Sequence, residues 1–360
     1  MRKLKIANIW IPAFLLAVGM TGCGDPDASK GGPPPSLTPP TVISVVPLGG
    51  AMGVCQGAVV TATFSKAMNP ATITTGTFKL AAGTTAVPGT VSHDSTDMIF
   101  TFTPTSPLAL NTPYTATITT GAQDQFGIGL AQDFVWMFTT ATTACAGPIA
   151  FGKPGCGFGI LAGSTVTNTS TVAAPTNVSG DVGVWAGSAI VGFPPGNLTG
   201  MLHSADAVAQ AAQGQLTTAY NLAAGKPVGT HLPPDIGGST LFPGVYTTVA
   251  QPSLGITGNL TLDAQGDSTA VWIFQIASTL KTADTNSQVK LQNGALPQNV
   301  FWAVGSSATL GASTTMAGNI MAQQSISFGT GATLNGRALA SIGAVTLISD
   351  TVNVPPCPGP

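Results

Sequence analysis

Residues 301–347 read FWAVGSSATLGASTTMAGNIMAQQSISFGTGATLNGRALASIGAVTL and decide the fold, because the stretch repeats itself. Superposition at offsets of 18 and 19 residues aligns three small polar residues and then three apolar ones: Thr309, Ser327 and Thr346, followed by Leu310, Phe328 and Leu347. Apolar positions that recur beside small polar positions are typical of a β-solenoid, in which each coil buries its inward side chains against the next coil. The stretch therefore predicts stacked coils with Thr and Ser on an outer surface.

The composition favours strands and turns over helices. Only 7% of the 360 residues are charged, Gly (45) and Pro (28) are abundant, and all 13 acidic residues are Asp. A formal net charge of −2 without a basic stripe gives no electrostatic reason for nucleic-acid binding. We expect an all-β protein of short strands with no nucleic-acid partner.

The N-terminus has the order of an export signal. Basic residues (MRKLK) precede the apolar segment ANIWIPAFLLAVG (7–19), which is shorter than the about 20 residues that a membrane-spanning helix needs. MTGC (20–23) resembles the bacterial lipobox, which implies lipid modification of Cys23 after removal of residues 1–22, although Met20 replaces the usual Leu. An ordinary secretory signal with an incidental cysteine is the alternative. Residues 23–39, rich in Gly, Pro and Ser, predict a disordered tether.

Export makes disulfides permissible for the other four cysteines. These cysteines bracket two regions of the chain, and that nesting favours one of the three possible connectivities, which pairs Cys55 with Cys145 and Cys156 with Cys357.

Residues 40–143 have the pattern of a β-sandwich, with short runs such as AVVTATFS, MIFTFTP and YTATITT between turn residues. In MIFTFTP the alternation places Ile99 on the face opposite to Phe100 and Phe102. TATFSKAMNPATITTGTFKL (61–80) and PLALNTPYTATITTGAQDQFGIGLAQDFVWMFTT (107–140) resemble the bacterial Ig-like modules of surface and S-layer-associated proteins. The resemblance implies a spacer, and no chemistry is assigned to it.

Residues 149–354 form a second region of short strand-like runs with glycine at the bends, and one segment in it has a helical pattern. SADAVAQAAQGQLTTAYNLAAG (204–225) carries a helically spaced apolar stripe: Ala205, Val208, Ala209, Ala212, Leu216, Ala219, Tyr220 and Ala223. Ser204 is expected to cap the helix, and Gly225 with Pro227 to end it, so the helix spans about 203–225.

The second region resembles the microbial ice-binding-like family. The resemblance lies in ILAGSTVTNT, GDVGVWAGSAIVGFPPG, DAVAQAAQGQLTTAYNLAAG, LTLDAQGDSTAVWIFQI and the repeated stretch quoted first. It implies a right-handed β-solenoid of triangular section, flanked by one long helix, with one flat face that binds ice. The predicted fold is thus all-β with one helix, an Ig-like sandwich followed by a solenoid.

The family is reported to carry the pattern T-A/G-x-T/N on its ice-binding face. TADT (282–285) and TGAT (330–333) match it, and ASTT (312–315) falls in the same register if Thr279 aligns with Thr309. The predicted ice-binding residues are Thr282, Thr285, Ala312, Thr315, Thr330 and Thr333. Thr suits this role because its hydroxyl bonds water, its methyl fills gaps in that water, and its branched Cβ restricts χ1.

A second ladder lies on a different segment of each coil and is the alternative ice-binding face: Thr279, Ser307, Thr309, Ser325, Ser327 and Thr346. The plainer interpretation of either ladder is a solvent-exposed β face without a ligand, since Thr is a common strand residue.

An enzyme is not predicted. β-Helical lyases and hydrolases place carboxylates, Lys, Arg or His in a groove, whereas His203 and His231 have no paired acid at a recognisable spacing. Asp263 and Asp267 lack the ligand density of a calcium loop. The sequence predicts no catalytic residue, metal site or cofactor.

These features together predict an exported monomer, lipid-anchored at the outer membrane or cell surface, or released from the cell. Its predicted partners are the surface of an ice crystal and, through the acyl group, a lipid bilayer. The alternative function is a surface adhesin or structural lipoprotein that binds a glycan or another surface.

Overall fold

The computed structural model describes residues 38–142, 145, 149, 155–248, 252–283 and 287–356. The predicted signal peptide, Cys23 and nearly all of the tether lie outside the described residues.

Residues 42–140 form two packed sheets, one of four strands (β1-β3-β7-β6) and one of five (β2-β9-β8-β4-β5). Strand bounds are β1 Val42–Val46, β2 Ala51–Val54, β3 Val60–Phe64, β4 Phe78–Ala82, β5 Thr85–Ala86, β6 Gly89–His93, β7 Ile99–Pro104, β8 Pro113–Ile118 and β9 Phe134–Thr140. Phe100 and Phe102 are each 1% exposed and Ile99 is 39% exposed, which confirms the alternation predicted for β7.

The disulfide between Cys55 and Cys145 joins the two ends of this sandwich, with 5.4 Å between the Cα atoms. It is the first of the two predicted pairs. Cys156 is buried at the start of the second region, and its predicted partner Cys357 lies outside the described residues.

Residues 158–353 form stacked coils of parallel strands. Strand bounds are β10 Phe158–Ala162, β11 Thr165–Asn168, β12 Asn177–Val178, β13 Asp181–Val184, β14 Ala189–Val191, β15 Asn197–Leu198, β16 Leu202–Ser204, β17 Thr230–His231, β18 Thr240–Leu241, β19 Gly244–Thr247, β20 Leu254–Ile256, β21 Asn259–Asp263, β22 Trp272–Ile276, β23 Leu280–Thr282, β24 Gln288–Gln292, β25 Val300–Val304, β26 Ala308–Leu310, β27 Thr315–Ala322, β28 Ile326–Phe328, β29 Thr333–Ala340, β30 Val345–Leu347 and β31 Thr351–Asn353.

The coils have three faces. The short-strand face is a separate seven-stranded sheet, β14-β11-β30-β28-β26-β23-β20. The asparagine face contains β15, β12, β31, β24, β21, β18 and the first halves of β29 and β27; the helix face contains β16, β13, β10, β25, β22, β19, β17 and the second halves of β29 and β27. β27 and β29 pass from one face to the next at Gly318 and Gly336, which are paired with each other. The pairing of Thr309 with Ser327, and of Ser327 with Thr346, confirms the predicted repeat.

The chain does not build its coils in sequence order. β10–β15 form two coils at one end of the stack, and after β16 the helix α1 (Ala207–Ala224) carries the chain to β17 at the other end. The remaining coils then return, until β29, β30 and β31 pair with β10, β11 and β12.

The interior is apolar and stacked in register. Tyr246, Phe274 and Trp302 occupy paired positions of β19, β22 and β25, and the rings of Phe274 and Trp302 stack with centroids 3.9 Å apart. Because the core is continuous from coil to coil, each coil depends on its neighbours for burial.

Helix α1 packs its small-residue stripe against the helix face. Ala209, Ala212, Leu216, Ala219 and Ala223 are buried against β-strand side chains of that face. The predicted stripe is correct from Ala209 onward, but Val208 is 37% exposed and Ala205 precedes the helix.

The N-cap prediction was wrong. Asp206 caps α1 by accepting a hydrogen bond from the Ala209 amide at 2.8 Å, whereas the Ser204 hydroxyl donates to the Ser188 carbonyl. The left-handed φ of 52° at Ala205 turns the chain between these two residues, so the helix begins at Ala207 instead of about residue 203. Its end before Gly225 agrees with the prediction.

Candidate functional site

Each strand of the short-strand face contributes one outward residue to a row along the stack, and in β20, β23, β26, β28 and β30 this is the middle residue of a three-residue strand. In β26, Ala308 and Leu310 are at most 1% exposed, while Thr309 between them is exposed. The strands pair in parallel, so these outward residues form a central row: Gly255, Lys281, Thr309, Ser327, Thr346, Thr167 and Val191. Four consecutive members of this row carry hydroxyl groups.

A flanking row of small residues lies two positions before the central row: Ser253, Thr279, Ser307, Ser325, Ala344, Thr165 and Ala189. None of them is buried. Side-chain hydrogen bonds connect several neighbours, because Thr279 Oγ1 donates to Ser253 Oγ at 2.8 Å and the Ser325 amide donates to Ser307 Oγ at 3.3 Å. All six residues of the second predicted ladder therefore lie on this one face.

The predicted alignment of Thr279 with Thr309 was wrong by two residues. β23 pairs Lys281, not Thr279, with Thr309, and Thr279 consequently lies beside Ser307 in the flanking row. A shift of two residues keeps outward side chains outward, so the alternation in the sequence could not detect it. Lys281 is exposed and is the charged member of the central row.

The asparagine face carries a different set of side chains. Its outward row contains Asn259, Gln288, Thr315, Thr333, Thr351, Asn177 and Asn197. Thr315 and Thr333 pair as predicted. Amide side chains bond along the stack, with Asn353 Nδ2 donating to Asn335 Oδ1 at 2.9 Å, and Lys290 and Gln292 are exposed on β24.

The six residues predicted from the T-A/G-x-T/N pattern do not share one surface. Thr315 and Thr333 lie on the asparagine face, whereas Ala312 and Thr330 lie in turns at the corner between that face and the short-strand face. Thr285 lies outside the described residues.

Thr282 is a correction to the predicted site. It is 2% exposed, and its hydroxyl accepts a hydrogen bond from the Gly311 amide at 2.7 Å and donates to Thr314 Oγ1 at 3.4 Å. Thr282 follows the outward Lys281 in β23, so strand alternation points it into the coil. A side chain in this position cannot contact a surface.

A buried carboxylate fixes the corner beside the short-strand face. Asp350 is fully buried, and its carboxylate accepts hydrogen bonds from the amides of Ala332 and Ile348. Burial raises the pKa of Asp350 to about 6, because these hydrogen bonds offset only part of the desolvation. The turn geometry on which the neighbouring strands depend is therefore tied to one side chain.

The remaining candidate groups have structural partners. His203 is 5% exposed and its Nδ1 lies 2.7 Å from Asp206 Oδ2. Asp263 Oδ1 accepts hydrogen bonds from the Gln265 amide and from Asn293 Nδ2. In the part of the chain that the structure describes, no group of three or more His, Cys or Asp side chains is arranged to hold a metal ion.

Among the residues described, no helix has the combination of length and apolar character needed to cross a bilayer.

The N-terminal coil contributes Thr165 and Thr167, which the sequence did not assign to the site. Thr167 lies about 180 positions from Thr346, its neighbour in the stack, so the short repeat does not reach it. The only signal was the alternation in STVTNT, which resembles the outward Thr pattern of the later coils.

Comparison with known proteins agrees with the two folded regions. Residues 160–353 match the family model described as "Ice-binding-like", and residues 36–140 match the "Bacterial Ig-like domain". An ice-binding protein of Nostoc sp. (strain HG1) is 45% identical over 214 residues, which cover 59% of this chain and 77% of that protein.

Two solved structures extend the comparison. The crystal structure of an ice-binding protein from an Antarctic biological consortium has a TM-score of 0.55 and 45% identity, covering 58% of this chain and 92% of that one. That of the ice-binding protein from the Antarctic ascomycete Antarctomyces psychrotrophicus has a TM-score of 0.52 and 41% identity, covering 57% and 98%.

Proposed function

The chain belongs to the ice-binding-like family, and from this premise we propose that it binds ice, without catalysis, through the short-strand face. The observation that carries the proposal is the run of four hydroxyl side chains, Thr309, Ser327, Thr346 and Thr167, at consecutive positions of one parallel sheet. Relatives that share the fold are named as ice-binding proteins.

The physical chemistry of the face suits a crystalline ligand. Parallel strands repeat at about 4.8 Å, so hydroxyl groups on successive strands recur at a regular interval. The residues on either side of each outward hydroxyl, such as Ala308 and Leu310, are buried in the core and hold the strand in place. Short side chains lose little rotamer entropy on docking, and Thr has a stiff χ1.

The other two faces are less suited to this role. The helix face is covered by α1. The asparagine face exposes Gln288, Lys290 and Gln292, whose long side chains would lose more conformational entropy on an ordered surface. Lys281 and Lys290 are exposed on the short-strand and asparagine faces respectively, so the difference lies in the flanking row of small residues on the short-strand face and in the long Gln288 and Gln292 on the asparagine face.

Thermal hysteresis and ice-recrystallisation assays on residues 24–360 test the proposal. The wild-type chain should show both activities above an albumin control, and their absence would refute ice binding. Thr309→Tyr with Thr346→Tyr should remove most of the activity, because two bulky rings interrupt the central row.

The matched variant places the same changes on the neighbouring face. Thr333→Tyr with Thr351→Tyr should leave the activity close to wild type. If this second variant alone loses activity, ice binding stands and the asparagine face is the binding surface.

We further propose that the protein is exported and held at the outer membrane or cell surface by a lipid on Cys23, or released from the cell. MTGC at residues 20–23 supports lipidation, and the Gly/Pro/Ser-rich residues 24–39 would separate the lipid from the folded part. Cys23→Ala should move the protein from the membrane fraction to the soluble fraction. A membrane-bound Cys23→Ala protein would contradict the anchor.

A further inference from the structure

One loop and one strand of the sandwich contact two turns of the solenoid. The loop between β1 and β2 (47–50), together with β2 itself, lies against the turn between β21 and β22 (264–271). Phe242, in the turn between β18 and β19, lies against the same strand β2.

Gln265 makes the polar contacts of this junction. Its side-chain nitrogen donates to the Met52 carbonyl, its side-chain oxygen accepts from the Met52 amide, and its main-chain carbonyl accepts from the Leu48 amide at 3.2 Å. β2 is the edge strand of the five-stranded sheet. The side-chain amide of Gln265 thus pairs with the edge of β2 as the backbone of another strand would.

Close packing supports these hydrogen bonds. A Cβ added to Gly266 would lie 3.3 Å from Val46 Cγ2, and one added to Gly53 would lie 3.2 Å from Phe242 Cβ. Both glycines have a positive φ, of 94° and 72°. The side chains of Val46 and Phe242 can approach these two backbones closely because neither glycine carries a side chain.

Both sides of the junction are held from within their own fold. On the sandwich side, Trp136 Nε1 donates to the Pro47 carbonyl at 3.1 Å. On the solenoid side, Asp263 Oδ1 accepts a hydrogen bond from the main-chain N–H of Gln265 at 2.8 Å. Gln265 is itself only 7% exposed. Preordered surfaces of this kind lose little entropy on docking.

The junction lies at one corner of the solenoid. Turns 242–243 and 264–271 connect strands of the asparagine face to strands of the helix face, so they form the corner between those two faces. In a three-faced coil, the third face lies opposite this corner. The third face is the short-strand face.

We propose that the sandwich is a docked base that holds the solenoid in one orientation, with the short-strand face turned away from it. The spacer role implied by the Ig-like resemblance would leave the two parts free to hinge. The docking itself does not depend on what the short-strand face binds, and its test is independent of ice.

Residual dipolar couplings of residues 24–360 test the docking. Couplings from the sandwich and the solenoid of the wild-type chain should fit one alignment tensor. Gln265→Gly with Leu48→Asp should give two tensors, because it removes the side-chain hydrogen bonds and places a charge in the junction. Glycine tolerates the φ of 52° at position 265, so backbone strain cannot explain the result.

The matched control is Ser313→Gly with Leu110→Asp. Ser313 has a φ of 56° in an exposed turn at another corner of the solenoid, and Leu110 is 38% exposed, as is Leu48. This control should keep one tensor. If the dipolar couplings of each part fit a single tensor well, both parts of the variant remain folded. Gln265→Gly alone serves as a milder variant. Two tensors for the wild type, or one for the junction variant, would overturn the proposal.

Discussion

Lys281 is the residue that most limits the proposed binding surface. It lies in the central row between Gly255 and Thr309, where the next four positions in the stack carry hydroxyl groups. A lysine side chain is long, flexible and strongly hydrated, so docking it against an ordered surface costs rotamer entropy and desolvation. The hydroxyl row therefore ends at Thr309, next to Lys281, and at Thr167, next to Val191.

Replacement of Lys281 should extend the row. Lys281→Thr places a fifth hydroxyl beside Thr309, and we expect thermal hysteresis at equal concentration to rise above wild type. Lys290→Thr removes the same charge from the asparagine face and should not change the activity. Equal or lower activity for Lys281→Thr would contradict its place in the binding surface.

The positions of individual site residues could be predicted only in part. The 18- and 19-residue offsets correctly align Thr309, Ser327 and Thr346, because those coils differ in length by a single residue. The coil before them contains a longer turn with a 3-10 segment at Pro297–Asn299, and across it the alignment of Thr279 failed. Alternation shows which side chains face outward but not which coil neighbours they meet.

At the scale of elements, helix α1 is defined by its small-residue stripe and by its caps. Spacings of three and four among the buried alanines and Leu216 allow the helix to lie close to the helix face. Hydrogen bonds from the Ala209 amide and then from His203 hold the pKa of Asp206 below its ordinary value, so the cap carries a negative charge at the helix N-terminus.

The two candidate caps can be separated by unfolding measurements. Asp206→Ala should lower the urea midpoint, because it leaves the Ala209 amide and the buried His203 Nδ1 without their acceptor. Ser204→Ala should lower the midpoint much less, since its hydroxyl bonds an exposed carbonyl. Equal effects of the two changes would show that Asp206 is not the cap.

The helix, the sandwich alternation and the β-solenoid class could be predicted because each rests on local periodicity. The exact start of α1 could not, since Ser204 and Asp206 are both good cap residues and the choice depends on the left-handed turn at Ala205. The match of TADT to the family pattern predicts a surface position for Thr282, although strand alternation after the outward Lys281 points it into the coil, where its hydroxyl bonds Gly311 and Thr314.

At the scale of the molecule, the sandwich has a covalent closure of its own. The disulfide between Cys55 and Cys145 closes a loop with a sequence separation of 90 residues. A closure of this length restricts the unfolded chain strongly.

Loss of this disulfide should destabilise the sandwich but not the proposed ice-binding face. Cys55→Ala with Cys145→Ala should lower the free energy of unfolding of the sandwich by about 2–4 kcal/mol. Thermal hysteresis should remain, because the solenoid core consists of its own stacked residues. Denaturant unfolding followed separately in each part, together with the ice assay, checks both expectations; a loss of hysteresis would contradict them.

The solenoid closes by a seam between its first coil and its last, where β10, β11 and β12 pair with β29, β30 and β31. Two fully buried charged residues lie there. Arg337 donates to the Cys156 carbonyl at 2.9 Å and to the Pro355 carbonyl at 2.7 Å, and burial lowers its pKa to about 10. The main-chain amide of Asp350 donates to Thr176 Oγ1 at 3.1 Å. The seam joins segments more than 170 residues apart, and Arg337, the only charged residue in the stretch 328–340, contributes to it.

Protonation of Asp350 should make the stability of this seam depend on pH. Its folded pKa of about 6 lies above the ordinary 3.8, so the folded state binds the extra proton and stability rises as the pH falls from above 6 towards 4. A pKa difference of this size corresponds to about 3 kcal/mol at most.

Asp350→Asn should flatten this dependence in urea unfolding between pH 4 and 7, whereas Asp133→Asn, at an exposed position of the sandwich, should leave it in place. The amide can accept only one of the two backbone hydrogen bonds, so the variant also loses stability at every pH. An unchanged slope in the Asp350→Asn protein would show that Asp350 does not control the seam.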